Sequence, residues 1–153
     1  MDLTRQFSQE QYARALEAWT WIDLSGKAPV FASPFGDVCL RDDAGFWWLD
    51  VLEGSLDLVW RTADQLRAEL NTGEGQDRYL LAGLAWAAEQ QGLTPTQDQV
   101  YGFKHPPVLG GAIDLQNVET TSFVVSVTIA GQLHRQVRDM TPGTPITGFR
   151  LEE

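Results

Sequence analysis

Residues 101–111 of the chain read YGFKHPPVLGG. Tyr101 and Phe103 alternate as a short strand requires, and Pro106 and Pro107 then end any helix or central strand. The two glycines that close the stretch permit positive φ angles. We therefore predict a strand that runs into a rigid corner. Helices and a hairpin are expected before it, and a closing strand and helix of the same core after it.

The composition is that of one globular domain. The chain has 153 residues, 43% of them hydrophobic, so a single core is expected over residues 1–153. Twenty-one acids against eleven bases give a formal net charge of −10, which repels nucleic acid and anionic membranes and attracts a basic partner. The N-terminus lacks a signal-peptide pattern, and no stretch reaches the roughly 18 apolar residues that span a bilayer. We expect a cytoplasmic protein that binds neither nucleic acid nor membrane.

An N-terminal helix and an antiparallel meander account for the first part of the chain. Ser8 and Gln11 have capping-box spacing, and the apolar residues after them predict a helix over residues 8–22. The glycines and prolines of residues 25–36 predict a loop with at most a short extended piece. Three strands joined by short turns are predicted next, at Phe35–Arg41, Phe46–Val51 and Leu56–Trp60. The second strand is apolar on both sides and is placed in the middle.

The rest of the chain predicts helices around further strands. A helix from Thr62 to near Gly73, a break at GEGQD and a helix over residues 77–91 follow from the apolar spacing. Residues 122–129, SFVVSVTI, are rich in β-branched side chains and predict a strand. Its apolar face, expected to pack on the helix 77–91, holds Phe123, Val125, Val127 and Ile129. A helix over residues 131–140 and a short strand at 146–151 follow. The predicted fold is α+β, a single domain with a curved antiparallel sheet and helices packed on one face.

The chain contains no pattern with catalytic or ligand-binding spacing. His105 and His134 have no second His or Cys at helical spacing, and neither a phosphate-binding glycine motif nor a nucleophile elbow occurs. His105 is expected in a loop and His134 as a partly exposed helix residue. Cys39 is expected to be a structural thiol in a strand. The prediction is that the protein is not an enzyme and has no catalytic residue, no metal site and no cofactor.

Two surfaces are candidates for binding. Residues 37–77 contain ten acids and three bases, and many of these acids fall in turns or on the outer face of the meander. They can form an acidic surface that steers a basic partner, or they can simply be solvated. The residues predicted to bind the partner are Asp42, Asp43, Glu53 and Asp57. The corner after the 101–103 strand predicts a possible pocket at Tyr101, Lys104 and His105.

Several blocks of the sequence carry a family resemblance. They are FGDVCLRDDAGFWWLDV, beginning at residue 35, QVYGFKHPPVLGG over residues 99–111, and SFVVSVTIAGQLHRQVRDMTPGT over residues 122–144. Together they resemble the C-terminal domain of type VI secretion immunity proteins, formerly a domain of unknown function that often occurs with a GAD-like domain. The resemblance extends over residues 35–150. Residues 1–30 form an N-terminal helix and loop where the family's extra domain is expected.

The resemblance implies a bacterial α+β protein without catalytic residues. On that basis the expected function is an immunity-type binding protein that neutralises a cognate secreted toxin. A nuclease is the expected toxin, because its basic substrate cleft would attract an acidic surface. The alternative is a small-ligand or protein-interaction module of the same fold, which would use the corner at 104–111 as its pocket.

Overall fold

The fold is α+β, as predicted. The computed structural model describes residues 3–138 and Met140. The helices within these residues are α1 (Gln9–Leu16), α2 (Ala63–Leu70), α3 (Gly73–Leu80), α4 (Ala82–Gln90) and α5 (Phe123–Val137). The strands are β1 (Ala28–Ala32), β2 (Val38–Asp42), β3 (Gly45–Asp50), β4 (Ser55–Trp60), β5 (Gln99–Phe103) and β6 (Val118–Ser122). They form a four-stranded sheet and a separate two-stranded sheet.

The four-stranded sheet is an antiparallel meander in the order β1-β2-β3-β4. The three strands predicted for residues 35–60 are β2, β3 and β4, and β3 lies between the other two as predicted. β1 was expected to be only a short extended piece within a loop. It instead forms five residues of edge strand against β2, with a register shift between Pro29 and Phe31.

Helices cover both faces of this sheet, so the prediction of helices on one face is wrong. Val38 and Leu40 pack into the core that contains Phe123 of α5. The neighbouring Cys39 points to the other face and packs in the core that contains Leu66 of α2 and Leu80 of α3. The physical reason is that β2 and β3 are apolar on both sides, so each face must be buried under its own layer.

The β5–β6 ribbon confirms the strand and the corner predicted for residues 101–111. β5 pairs with β6 from Gln99↔Ser122 to Phe103↔Val118 without a register shift. After β5 the chain passes through Pro106 into a 3-10 helix over Pro107–Leu109. Tyr101 N–H donates a hydrogen bond to Pro34 O at 2.8 Å, which ties the ribbon to the segment that precedes β2.

The strand predicted at residues 122–129 is wrong, because these residues begin the long helix α5. Ser122 is the helix N-cap, and its hydroxyl accepts a hydrogen bond from Val125 N–H at 3.3 Å. Phe123 and Val127 are buried four residues apart, whereas Val125 is 51% exposed. The β-branched side chains fit this helix because an apolar stripe at helical spacing meets a core, and packing outweighs their weak preference for strands.

α5 packs on the N-terminal helical layer and not on the helix predicted at 77–91. Phe123 stacks on Phe7 with ring centroids 3.9 Å apart. The Trp19 indole N–H donates to Val127 O at 2.9 Å. Gly131 permits this close packing, because a Cβ there would lie 2.8 Å from both Ala18 O and Trp19 Nε1. The missing side chain at Gly131 therefore sets how closely the two helical layers approach.

The break predicted at GEGQD is also wrong, and the helix predicted over 77–91 is interrupted. Residues 73–77 form the first half of α3, which Thr72 caps by accepting a hydrogen bond from Gly75 N–H at 3.0 Å. The interruption comes at Leu81, which has a left-handed φ of 49°. Asp77 then caps α4 by accepting from Gly83 N–H at 3.0 Å. The capping side chains thus move the break to the other end of α3.

The helix predicted over residues 131–140 is the second half of α5. The strand predicted at residues 146–151 lies outside the described residues. None of the described helices is long and apolar enough to cross a membrane.

Candidate functional site

A cleft of about 220 Å³ opens beside the β5–β6 ribbon. Its walls are residues 102–104 and 106–108, Glu119 and Thr121 of β6, and the 51–52 segment after β3. The floor is apolar and includes Phe35, Ile129 and Leu133. A wider depression of about 480 Å³ adjoins it and shares Leu52 and His134 with it. We refer to the first of these as the cleft.

Two buried polar side chains hold the Val51 backbone at the edge of the cleft. Asp37 Oδ1 accepts a hydrogen bond from Val51 N–H at 2.8 Å. His134 Nε2 lies 2.9 Å from Val51 O and donates to it, which requires the ring proton on Nε2. The N–H and the C=O of Val51 are thereby both hydrogen-bonded. One bond goes to a side chain of the segment just before β2, and the other to a side chain of α5. The end of β3 is fixed to α5 through this arrangement.

Asp37 is a buried carboxyl group with a further partner. The Ser33 hydroxyl donates to Asp37 Oδ2 at 2.8 Å and accepts from Asp37 N–H at 3.1 Å. Burial, with a smaller contribution from the nearby Asp50, raises the pKa of Asp37 to about 7. The carboxyl group is therefore a structural tie between the 33–37 loop and Val51, in a place where a charge is costly.

His134 is a buried residue, which corrects the prediction that it is partly exposed. Its side chain is 7% exposed and lies against the Trp19 ring, with centroids 5.8 Å apart. Gly54 lies against its other side, where a Cβ would come within 2.5 Å of His134 Nδ1. The imidazole thus fills the space between the β3–β4 turn and α5 and forms part of the cleft wall.

Polar side chains with unused bonding capacity line the cleft. Lys104 and Glu119 are exposed. Thr121 and Ser126 are half-buried on neighbouring elements. No hydrogen bond or ion pair joins these four side chains to any other residue within 3–138. The cleft therefore combines an apolar floor with donors and acceptors at its mouth, which is the usual character of a binding site.

The three residues predicted as a pocket lie in different surroundings. Lys104 lines the cleft. Tyr101 is buried, and its hydroxyl donates to Leu93 O at 2.6 Å. His105 is exposed in the corner, with Nε2 3.1 Å from Leu109 O. Neither Tyr101 nor His105 is among the residues that line the cleft.

The four acids predicted to bind a partner lie at two ends of the meander and on its edge. Asp42 ends β2 and Asp43 lies in the turn between β2 and β3, whereas Glu53 is in the turn between β3 and β4. These turns are at opposite ends of β3, whose six residues span roughly 17–20 Å. Asp57 is exposed within β4. The acids therefore present a broad surface and no single cluster.

Asp42 differs from the other three because it already has partners within the chain. Its Oδ1 accepts a hydrogen bond from the Trp47 indole at 2.8 Å, which holds the pKa of Asp42 below its ordinary value. Lys27 Nζ lies 3.9 Å from Asp42 Oδ2 and 4.4 Å from the centroid of the Trp47 ring. Asp43, Glu53 and Asp57 are more accessible to a partner's positive charge.

The histidines and the cysteine fit structural roles. Among the described residues no group of three or more His, Cys, Asp or Glu could hold a metal ion. Cys39 is fully buried, and burial raises the pKa of its thiol to about 12. The thiol thus remains protonated, as expected of a structural cysteine.

Sequence reasoning missed the Asp37–Val51–His134 arrangement. A signal for Asp37 was present, since an acid at the start of an apolar strand is unusual unless it has partners. The signal for His134 was its spacing of seven residues from Val127, which places both on one face of a helix. The strand pattern of residues 122–129 conceals this spacing, because it places Val127 on a strand and not on the helix that carries His134.

Known proteins resemble this chain in sequence and in fold. Residues 61–134, just under half of the chain, match the family model described as T6SS immunity protein Tdi1, C-terminal. This segment is therefore similar to the type VI secretion immunity proteins recognised from the sequence, and the similarity supports an immunity role. An immunity family also suggests a non-catalytic protein. No curated protein matches the chain.

A solved structure shares the fold. The crystal structure of Atu4351 from Agrobacterium tumefaciens matches with a TM-score of 0.52 and 17% sequence identity. The match covers 81% of this chain and 63% of that chain, so the present chain spans less than two thirds of the length of its structural relative. At this identity the likeness concerns the fold alone.

Proposed function

We propose that this protein is a non-catalytic immunity protein that binds and neutralises a cognate secreted toxin, and that the toxin is a nuclease with a basic surface. The observation that carries the proposal is the family match over residues 61–134. It includes α2 to α4, the β5–β6 ribbon and most of α5, so much of the cleft lies within the matched segment. We place the action in the cytoplasm, where a nuclease meets its substrate.

The charge of the chain supports a basic partner. A formal net charge of −10 produces a negative field that draws in a positively charged protein and speeds their encounter. A nuclease needs a positive cleft to hold phosphates, and it therefore presents the complementary surface. The same charge disfavours direct binding of this protein to nucleic acid, so the protein competes with the substrate by occupying the toxin.

We assign the steering of the toxin to Asp42, Asp43, Glu53 and Asp57. Their wide separation suits long-range attraction, which depends on summed charge over a surface. Tight binding needs in addition a few well-packed contacts in a desolvated centre. The cleft, with its apolar floor and unpaired polar rim, is suited to receive a side chain of the toxin.

The proposed function expects the cognate toxin to be encoded by a neighbouring gene, and two double variants test the steering with that toxin domain as the probe. Changing Asp42 and Asp43 to Asn, or Glu53 to Gln with Asp57 to Asn, removes two charges at a time. We expect slower association at low salt in each case, by about twofold to tenfold, and a weaker dependence on ionic strength. Stopped-flow or biosensor association rates at several salt concentrations measure the effect, and dissociation rates should change little.

A third double variant is the matched control. Glu10 and Glu17 are exposed acids of the N-terminal helical segment, and changing both to Gln alters the net charge by the same amount. The association rate of this control variant should stay closer to that of the unchanged protein. Equal rates and equal salt dependence for all three double variants would contradict a steering role for the four acids and leave them as solvated surface.

A second candidate function rests on the size of the cavities. The cleft of about 220 Å³ is small for a drug-sized ligand, but with the adjoining depression of about 480 Å³ it reaches the range of ordinary small-molecule sites, roughly 300–1,000 Å³. A ligand-binding or interaction module of the same fold would use this combined space. A toxin gene beside this gene favours the immunity function, whereas neighbouring genes that encode only metabolic proteins favour the ligand-binding or interaction module.

A further inference from the structure

β6 is the open edge of a two-stranded ribbon. It pairs only with β5 within the described residues, in a regular antiparallel register that includes Tyr101↔Thr120. Two-stranded ribbons are marginal on their own and gain stability from a further strand. The outer edge of β5 is already in use, since Tyr101 N–H bonds Pro34 O and the Arg5 guanidinium donates to Gln99 O at 2.9 Å.

The hydrogen-bond phase of the ribbon can be worked out from these contacts. Opposed residues of an antiparallel pair exchange both backbone bonds or neither. Because Tyr101 N–H points to Pro34, the Tyr101↔Thr120 pair exchanges neither. The bonds from Lys104 N–H to Asn117 O at 2.8 Å and from Phe123 N–H to Asp98 O at 2.9 Å fall on the alternate positions and agree with this phase.

The backbone of Thr120 therefore points away from β5. By the same alternation Ser122 N–H and Val118 C=O also face outward. Among these outward groups, Thr120 N–H, Thr120 C=O and Ser122 N–H are not bonded to another backbone group within residues 3–138. Their spacing along β6 is that at which an adjacent strand would form backbone hydrogen bonds.

The two edges of the larger sheet are less open. Both outer strand pairs of that sheet, β1 with β2 and β3 with β4, contain a register shift, and β1 contains Pro29. Arg5 also pairs with Ala32 at the end of β1. Bulges, prolines and covering segments are the usual protection of an edge against added strands. β6, with the sequence VETTS, has no proline and no register shift.

We infer that β6 receives an extended segment of the toxin as a third strand of the ribbon. This inference rests on the proposed function and adds to it the mode of recognition. Main-chain bonds to Thr120 and Ser122 hold such a segment, and alternate side chains determine which segment fits. The side chains on one face of the added strand lie beside Glu119 and Thr121, which line the cleft, so one of them can enter it.

Charge selects the toxin over a second copy of this chain. Glu119 lies exposed at the middle of β6, and an opposite charge on the neighbouring strand is favourable there, whereas a like charge is not. Two copies joined along β6 would bring their Glu119 residues close together and combine two chains that each carry a net charge of −10. A segment with Lys or Arg facing Glu119 satisfies the same edge without that repulsion.

Thr120→Pro tests the inference with Thr120→Val as the matched control. Proline removes the outward N–H and leaves the bonds to β5 intact, because prolines are tolerated on an edge whose N–H faces outward. Valine keeps the N–H and changes only the side chain. We expect Thr120→Pro to weaken binding of the neighbouring gene's toxin domain about tenfold or more, and Thr120→Val to change it by less than about threefold.

Amide hydrogen exchange of the complex gives a second measurement that does not depend on a variant. Exchange at Thr120 and Ser122 should slow when the toxin domain binds, while Thr121, whose N–H already faces β5, serves as the internal reference. Thermal unfolding of free Thr120→Pro checks that the fold is kept.

Each outcome bears on the inference. If the toxin domain binds but both variants bind alike, or the two outward amides exchange as fast in the complex as in the free protein, strand addition at β6 is wrong and the proposed function stands. If the unchanged protein does not bind the toxin domain at all, the inference and the proposed function both fall.

Discussion

Val127→Asp is expected to unfold the protein, whereas Val125→Asp leaves it folded. Val127 is 1% exposed in the core between α5, the N-terminal helix and the sheet. A carboxylate placed there has no partner, and its burial costs several kcal/mol, on the order of the whole stability of a typical domain. Thermal unfolding followed by circular dichroism measures the effect.

Val125 is the matched control because it carries the same side chain two residues away and is 51% exposed. On a strand the two valines would share a face, and both changes would be equally harmful. On the helix α5 they point in different directions. Equal destabilisation by the two changes would contradict the helical assignment of residues 123–137.

Gly54→Ala is expected to destabilise the protein by about 2–5 kcal/mol. Gly54 has a φ of 72°, and a Cβ there would lie 2.5 Å from His134 Nδ1. The imidazole must move, and the hydrogen bond from His134 Nε2 to Val51 O is lost. The expected loss combines the strain of a left-handed alanine with a buried carbonyl oxygen left unpaired.

Gly26→Ala separates the two causes. Gly26 has the same φ of 72°, but a Cβ there meets nothing within 4 Å. Its substitution should cost only the backbone strain, about 1–2 kcal/mol. Chemical denaturation of both variants gives the difference. A Gly54 variant no less stable than the Gly26 variant would show that His134 is not held between the β3–β4 turn and α5.

The meander was predictable because its signals are local. Short turns separate three apolar runs in residues 35–60, and β2, β3 and β4 lie where those runs predicted them. The apolar character of FWWLDV on both sides also contained the information that both faces of the sheet are covered. That pattern predicts the central position of β3, and the second helical layer follows from the same apolar character.

α5 could not be identified from its own residues, because SFVVSVTI satisfies the strand pattern and the helix pattern at once. What decides between them is tertiary: Phe7 and Trp19, more than 100 positions away along the chain, provide the surface on which Phe123 and Val127 pack. Intrinsic preference is a weak guide where such contacts exist.

The candidate site was predictable only in part for a similar reason. Lys104 lines the cleft, because a strand followed by two prolines forms a corner that cannot pack flat, and its role in binding stays a prediction. Asp37 and His134 are 97 positions apart in the sequence, and nothing local connects them. They come together because the end of β3 carries Val51 between them.

Growth of a bacterium that produces the neighbouring gene's toxin domain, with and without this protein, tests the central claim most directly. The account predicts that the toxin domain alone arrests growth and that co-production of the unchanged protein restores it, whereas the unfolded Val127→Asp variant does not. Arrested growth despite accumulation of the folded protein would contradict the claim that this protein neutralises that toxin.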